Sequence, residues 1–222
     1  MILHYSRNPN PRLAVAVARH LGSAVIFVPA SPFAPGQAET YRRLNPSLSI
    51  PILEEEKGTL WEADAIACRL SRLSKTDFWR IDDEGEPDMI RWLSWGKANF
   101  VMACDQVHFE YGTKQRYGMG AVDMTKVEEG LALFHRSAPI LDAHLTSRSF
   151  LLDSGLSYAD FRMASFLPFN DVAGLPLSAY PALQDWYHRL DSLPSWHDPF
   201  EGLDAPALPK AMLAAERLQS QS

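Results

Sequence analysis

Cysteine is scarce in this chain, and its scarcity removes two architectures at once. Only Cys68 and Cys104 occur, far from Cys-x-x-Cys spacing and each inside a helical pattern, so neither a disulfide framework nor a redox dithiol motif has support. Both read as small buried apolar residues. The seven histidines form no His-x-x-x-His pair and no Cys/His cluster, so no metal site is expected. No apolar run approaches the ~20 residues that span a bilayer, and Met1 to Tyr5 runs straight into a strand-like segment without a charged leader region. Neither a membrane nor secretion is expected, and the cytoplasm is the expected location. Positive charge is in deficit: 21 Lys and Arg stand against 27 Asp and Glu, with a net charge of -6. Nucleic acid, which demands a Lys/Arg-rich face, is therefore not an expected partner. Repeats and low-complexity tracts are also missing.

What is present suits one soluble subunit of one or two domains: 222 residues, 46% hydrophobic and 22% charged. Over residues 1–75 short strand-like and helix-like patterns alternate. Ile2 to Tyr5 reads as a strand. Pro11 to Leu21 reads as a helix with Leu13, Val17, His20 and Leu21 on one side, started by Asn10 or Pro11 and stopped by Gly22. Ala24 to Val28 is a second strand, and Pro35 to Leu44 a helix ended by Asn45-Pro46. Ile50 to Leu53 and Thr59 to Trp61 form a hairpin about Glu55 to Gly58, and Glu62 to Leu73 is a helix with Ile66, Leu70 and Leu73 on one face.

Ser74 to Asp88 is charged and polar with Gly85 and Pro87, which places a linker at 76–87. Residues 88–222 then read as helical nearly throughout: Asp88 to Tyr111, Met124 to Leu145, Ser157 to Leu167, Ala182 to Leu190, and a short helix near Lys210 to Leu218. Most aromatics of the first of these, Trp92, Trp95 and Phe100 among them, are expected in packing. Gly112 to Asp123 reads as a mobile loop.

The stretch richest in chemistry is Ile50-Pro51-Ile52-Leu53 with Glu62-Ala63-Asp64 downstream. A proline among β-branched residues removes a ladder donor and belongs at a strand's first residue or edge, which leaves neighbouring backbone groups for a ligand. Acidic residues at the start of an amphipathic run add unpaired amides at a helix N-terminus. Together they outline a small binding site.

These residues, with Asn45-Pro46, Leu156-Ser157-Tyr158-Ala159-Asp160 and Tyr180-Pro181-Ala182-Leu183, resemble the glutathione S-transferase family over most of the chain, a cytosolic, bacterial-like type of no assignable class. Ser157 and Asp160 have capping-box spacing, with Leu156 and Phe161 as the staple. The resemblance implies α/β plus all-α architecture, a thioredoxin-like N-terminal domain followed by a helical bundle, and a homodimer. It implies a cis Pro51, backbone pairing of Ile50 with the cysteinyl part of glutathione, and capture of the γ-glutamyl group by Glu62 and the next residue. That next residue is Ala63, where the family usually carries serine, so one hydrogen bond to a charged group is missing.

Chemistry in such a protein stabilises the glutathione thiolate. Matching the family's first loop to Tyr5-Ser6-Arg7-Asn8-Pro9-Asn10 puts Asn10 at the usual serine or cysteine, with Ser6 and Tyr5 as further donors. Asn10 reads equally as a helix N-cap, and Arg12 either attracts an anion or lies exposed on the helix. Asn99, Met102, Ala103 and Gln106 are the expected lining of an apolar acceptor pocket. Two functions follow: glutathione-dependent transfer to, or reduction of, a small apolar electrophile, or a noncatalytic module that keeps the fold to bind a ligand or protein.

Overall fold

A computed structural model describes residues 1–219. The strands are β1 (Ile2–Tyr5), β2 (Ile26–Pro29), β3 (Ile52–Glu55) and β4 (Gly58–Trp61), and the helices in chain order are α1 (Pro9–His20), α2 (Ala38–Leu44), α3 (Ala63–Ser74), α4 (Gly85–Ala98), α5 (Phe100–His108), α6 (Lys114–Tyr117), α7 (Met124–Leu145), α8 (Tyr158–Met163), α9 (Asn170–Ala173), α10 (Pro181–Asp191), α11 (Pro194–His197) and α12 (Ala214–Gln219). They divide into two units. The first comprises Met1–Ile81 and also Asp191–Ala207, and the second comprises Asp82–Leu190 with the residues from Leu208 onward.

In the first unit the sheet order is β2-β1-β3-β4. β1 runs parallel to β2 through the α1 crossover and antiparallel to β3, and β3 turns into β4 through Glu56-Lys57. The period-2 alternation of β1 sends Leu3 and Tyr5 to one side of the sheet and His4 to the other, where it meets Tyr41 of α2 edge to face. β3 starts at Ile52, two residues later than its apolar run predicts, because Ile50 and Pro51 lie outside the ladder. α2 starts at Ala38 and not at Pro35, since Gly36 takes a φ of +77° that no helix continues through.

α1 starts at Pro9, with Asn8 as its N-cap, so the N-cap expected at Asn10 is displaced by two residues. A proline at the first position costs nothing there, since that amide lacks an intrahelical partner in any case. The helix is buried from Pro11 through Ala18 with no exposed stripe. The returning segment Asp191–Ala207 explains it: Arg12 lies 6% exposed with its guanidinium over the Trp196 ring at 4.9 Å, donating to the carbonyls of Trp196 and His197. Neither sequence reading of Arg12 holds, for it is an internal strut. Trp196 itself is fully buried and Phe200 is 5% exposed.

The second unit holds no strand among the described residues. Its first helix begins at Gly85, inside the expected linker, because Asp82 Oδ1 accepts from the amides of Glu84 and Gly85 as a cap would. The single helix expected over Asp88 to Tyr111 breaks at Asn99, which adopts φ -132° and ψ -93°. Its side-chain amide donates to the Trp95 carbonyl at 2.9 Å, and its own carbonyl accepts from Ala103 at 2.8 Å, so it ends α4 and begins α5.

The loop expected from Gly112 is instead helical as far as Tyr117, a π turn over Phe109–Thr113 leading into α6. Buried Glu110 holds it by accepting from Lys114 Nζ at 2.7 Å and from the Asp123 amide at 2.8 Å. α7 spans Met124–Leu145 as its periodicity predicts. α8 is shorter than predicted, yet its capping box is formed: Asp160 is fully buried and accepts from the Ser157 amide, Ser157 Oγ, the Leu151 amide and Trp186 Nε1. Burial raises the Asp160 carboxyl pKa and these four donors oppose that rise. The tail forms α12 four residues later than predicted, and Arg217 stacks over Tyr111 at 3.6 Å while donating to the Val172 and Ala173 carbonyls that end α9.

Candidate functional site

The strand registers bring the singled-out residues of the first unit to one end of its sheet. Pairing runs His4 with Ile52 and Ile52 with Trp61, so the next residues along the three chains are Tyr5, Pro51 and Glu62, and the row after them is Ser6, Ile50 and Ala63. With strands about 4.8 Å apart, that end is narrow enough for one small ligand to touch all three chains. Sequence spacing of nearly sixty residues gives no hint of this. The register does.

The Ile50-Pro51 peptide is cis. Pro51 is buried, and Ile50 packs on the Ala30, Tyr41 and Ile52 cluster, which leaves its main chain ahead of the ladder. Asn45, fully buried, builds the approach: its side-chain amide donates to the Ser49 carbonyl at 2.8 Å and its oxygen accepts from the Ser47 amide at 3.0 Å and from Ser47 Oγ at 2.9 Å. Thr59 Oγ1 ties the β4 side by donating to the Leu44 carbonyl at 2.7 Å. Sequence reading took Asn45 as a helix end and, with Pro46, as part of the family resemblance; the Asn-Pro-Ser-x-Ser pattern that it opens is the signal for the turn.

Glu62 is the N-cap of α3 and sits at φ +74° and ψ 127°, a region a side-chain-bearing residue adopts rarely and only when its surroundings impose it. Its side chain is exposed and its carbonyl accepts from the Ile66 amide at 3.0 Å. First-turn amides of any α-helix point out of the N-terminus without intrahelical partners and favour a carboxylate there. Ala63 opens that turn, 3% exposed and without a hydroxyl.

The first loop supplies the polar groups. Ser6 is half-buried, and its Oγ accepts from the Asn8 amide at 3.3 Å and from Asn8 Nδ2 at 3.2 Å, which leaves the Ser6 proton for donation elsewhere. Asn10 is exposed, one position inside α1. Tyr5 departs from its expected role: it is 1% exposed, stacked on Phe200 at 5.8 Å, with its hydroxyl donating to the Asp204 carbonyl at 3.3 Å. Burial first, then the Asp204 carboxylate, raises its pKa, so this phenol is a neutral donor already engaged.

In the second unit Asn99 and Met102 share one side of the α4–α5 break, Met102 being 47% exposed. Ala103 and Gln106 turn instead to α7. Ala103 is fully buried, and Gln106 donates to the Lys126 carbonyl at 2.8 Å and to Glu129 at 3.2 Å. Cys104 is buried, which raises its thiol pKa, and Cys68 is half-buried; both are free thiols. Among the described residues no group of three His, Cys, Asp or Glu side chains is placed to hold a metal ion, and no helix is long and apolar enough to cross a membrane.

A β2-β1-β3-β4 sheet with a cis-proline at the head of β3 defines a thioredoxin-like domain, here followed by an all-helical one. The profile of the glutathione S-transferase C-terminal domain family matches residues 125–189. A probable glutathione S-transferase of Oryza sativa subsp. japonica is 26% identical over 192 residues, 84% of this chain and 88% of the rice protein. The dichloromethane dehalogenase of Methylophilus leisingeri is 25% identical over 161 residues, 69% of this chain and only 60% of the dehalogenase. The fold matches glutathione S-transferase I from mais, solved in complex with an atrazine glutathione conjugate, with a TM-score of 0.82 at 23% identity, over 93% of this chain and 99% of that one. Residues 125–189 thus match the glutathione S-transferase C-terminal domain, and the chain as a whole shares the glutathione S-transferase fold.

Proposed function

We propose that the protein is a glutathione-dependent transferase acting on a small apolar electrophile. The observation that carries this reading is the row formed at one end of the sheet by the first loop, cis Ile50-Pro51 and the strained Glu62 that opens α3. In it the Ile50 backbone pairs with the cysteinyl part of glutathione, and the amides of Ala63 and Asp64, with Glu62, receive the γ-glutamyl group. The Ser6 hydroxyl and the Asn10 side-chain amide are the donors for the thiolate once its proton has left to solvent. The thiolate then attacks the electrophilic carbon, the new C–S bond forms, and the leaving group departs with its electron pair. Family resemblance extends the reading to a cytoplasmic protein and to a homodimer; sedimentation as a monomer in analytical ultracentrifugation would contradict the dimer.

Thermal unfolding with millimolar glutathione and with its disulfide tests the reading, because a ligand that binds only the native state raises apparent stability. A rise is expected, together with turnover of an activated aryl chloride. No rise with either ligand would sink the proposal. The absent hydroxyl at Ala63 and the engaged Tyr5 phenol favour a second reading, a noncatalytic ligand-binding module. It predicts a glutathione-induced rise with no thiolate absorbance band and no turnover.

A further inference from the structure

Four side chains of the β1–α1 region hold the returning segment by its backbone carbonyls. Arg12 takes Trp196 and His197; Arg19 takes Pro199 at 3.3 Å and Glu201 at 2.6 Å; Tyr5 takes Asp204 at 3.3 Å; Arg7 takes Ala205 at 3.0 Å. Arg12 and Arg19 grip from within α1, beyond the loop. Tyr5 and Arg7 are different, since they flank Ser6 in the chain and both also rest on one ring, Phe200, with Arg7 Cζ 4.6 Å from its centroid and Tyr5 stacked at 5.8 Å. The main chain on either side of Ser6 is thus pinned to a segment nearly 200 residues downstream. Within the loop, Ser6 Oγ accepts from the Asn8 amide and from Asn8 Nδ2.

We propose that Arg7 is a positioning residue of the thiol-stabilising loop. By holding the Ala205 carbonyl and the face of Phe200, it fixes the backbone on which Ser6 and Asn8 stand, so residues 200–205 belong functionally to the site. The proposal rests on the transferase reading above. A hydroxyl stabilises an anion only while it is aimed at it, and a displacement near 1 Å is enough to cost roughly 100-fold in a positioned reaction. The guanidinium suits this task because its planar fork donates and stacks at once, whereas an ammonium only donates.

The test compares Arg7→Ala, Arg7→Lys and Arg19→Ala in the full chain with glutathione as the probe. The apparent pKa of the bound thiol is read from the thiolate's ultraviolet absorbance against pH, glutathione Kd from calorimetry and stability from thermal melts. Arg19→Ala removes two equivalent carbonyl grips outside the loop and serves as the structural control. Arg7→Ala is expected to raise the thiol pKa by roughly one unit, tenfold less thiolate at a fixed pH below it, with Kd little changed. Arg7→Lys should recover part of that, and Arg19→Ala should leave the pKa at the wild-type value even where it lowers the melting temperature. Equal thiol pKa values in wild type, Arg7→Ala and Arg19→Ala would overturn the positioning role and leave the transferase reading standing. Wild-type protein that binds no glutathione would overturn both. Should Arg7→Ala fail to fold, Arg7→Lys against Arg19→Ala decides the question by the same readout.

Discussion

Position 63 carries a methyl group where the resemblance to glutathione S-transferases implies a hydroxyl, and the surrounding structure makes the difference testable. Ala63 is 3% exposed at the first position of α3, so a serine there would be buried with its oxygen at the helix N-terminus. Without ligand that hydroxyl costs about 1–3 kcal/mol if unpaired, and with a charged ligand group it contributes about 1.5–3 kcal/mol. Ala63→Ser is therefore expected to lower the melting temperature of the free protein while tightening glutathione by roughly tenfold or more, as calorimetry would record. Unchanged affinity would remove Ala63 from the γ-glutamyl subsite. A second residue makes stability sensitive to acid. His108 is 1% exposed, edge-on to Phe166 and tilted against Phe169, with Nε2 3.0 Å from Arg116 Nη1. Arginine only donates, so Nε2 accepts and the neutral ring carries its proton on Nδ1. Burial, then the Arg116 charge, pushes its pKa down from 6.5 to about 4. A base depressed in the folded state binds fewer protons there than when unfolded, so its full contribution is present above pH 6.5 and is lost as pH falls toward 4. The loss is of the order of 3 kcal/mol. Urea unfolding of wild type and His108→Gln between pH 7 and pH 4 should show the variant less stable at neutral pH and flatter in acid; parallel curves would contradict the assignment.

Between elements, two glycines show how magnitudes decide the sign of one substitution. Alanine in place of glycine inside a helix gains about 1 kcal/mol of propensity. At Gly130 of α7 the new Cβ would lie 2.9 Å from Val107 Cγ2, 3.3 Å from Gln106 Cβ and 3.4 Å from the Ala103 carbonyl. Val107 is fully buried and β-branched, so it cannot rotate away, and α5 must shift. At Gly96 of α4 the close atoms are Met163 Cε at 2.8 Å and Sδ at 3.0 Å, the end of a flexible chain. Gly130→Ala is expected to lower stability by about 1–2 kcal/mol and Gly96→Ala to change it by less than about 1 kcal/mol, measured by denaturant midpoints. Equal midpoints for the two variants would refute the packing argument. The same distinction explains what was legible beforehand. α7 and α3 emerge from periodicity because each buries one regular face, and the capping box at Ser157 is a local pattern read over four residues. The break at Asn99, the π turn and the early start of α4 are settled by bonds to Trp95, Glu110 and Asp82, which hydrophobic spacing does not encode. At the site, Ile50-Pro51 and Glu62 were legible as a proline-headed strand and a helix start. The engagement of Tyr5 and the roles of Arg7 and Asn45 were not, because their partners are backbone carbonyls and amides that any sequence presents.

For the whole chain, the decisive feature is that the first unit is discontinuous. A boundary drawn from composition ends the first domain at residue 75, yet residues 191–207 pack within it and supply Trp196 and Phe200 to its interior. Two buried aromatics of about 150–250 Å² each, at about 25 cal/mol per Å², contribute on the order of 8–12 kcal/mol as an upper estimate. That equals the net stability of a typical domain. Arg12 adds a penalty in the same direction, for without Trp196 its buried charge loses both ring and carbonyl. The unit is therefore expected to gain its folded state only once the chain has reached Ala207, after synthesis of the intervening helical unit. Chains ending at Ala207 and at Leu190 isolate this dependence, since both lack everything from Leu208 onward and differ only in the returning segment. Hydrogen exchange followed by mass spectrometry should find the amides of α1 and β1 protected in the longer chain and exchanging freely in the shorter one, while α5 and α7 behave alike in both. Protection of α1 in the chain ending at Leu190 would show that the first 81 residues hold their own core, and the returning segment would then be a covering and not a part of the fold.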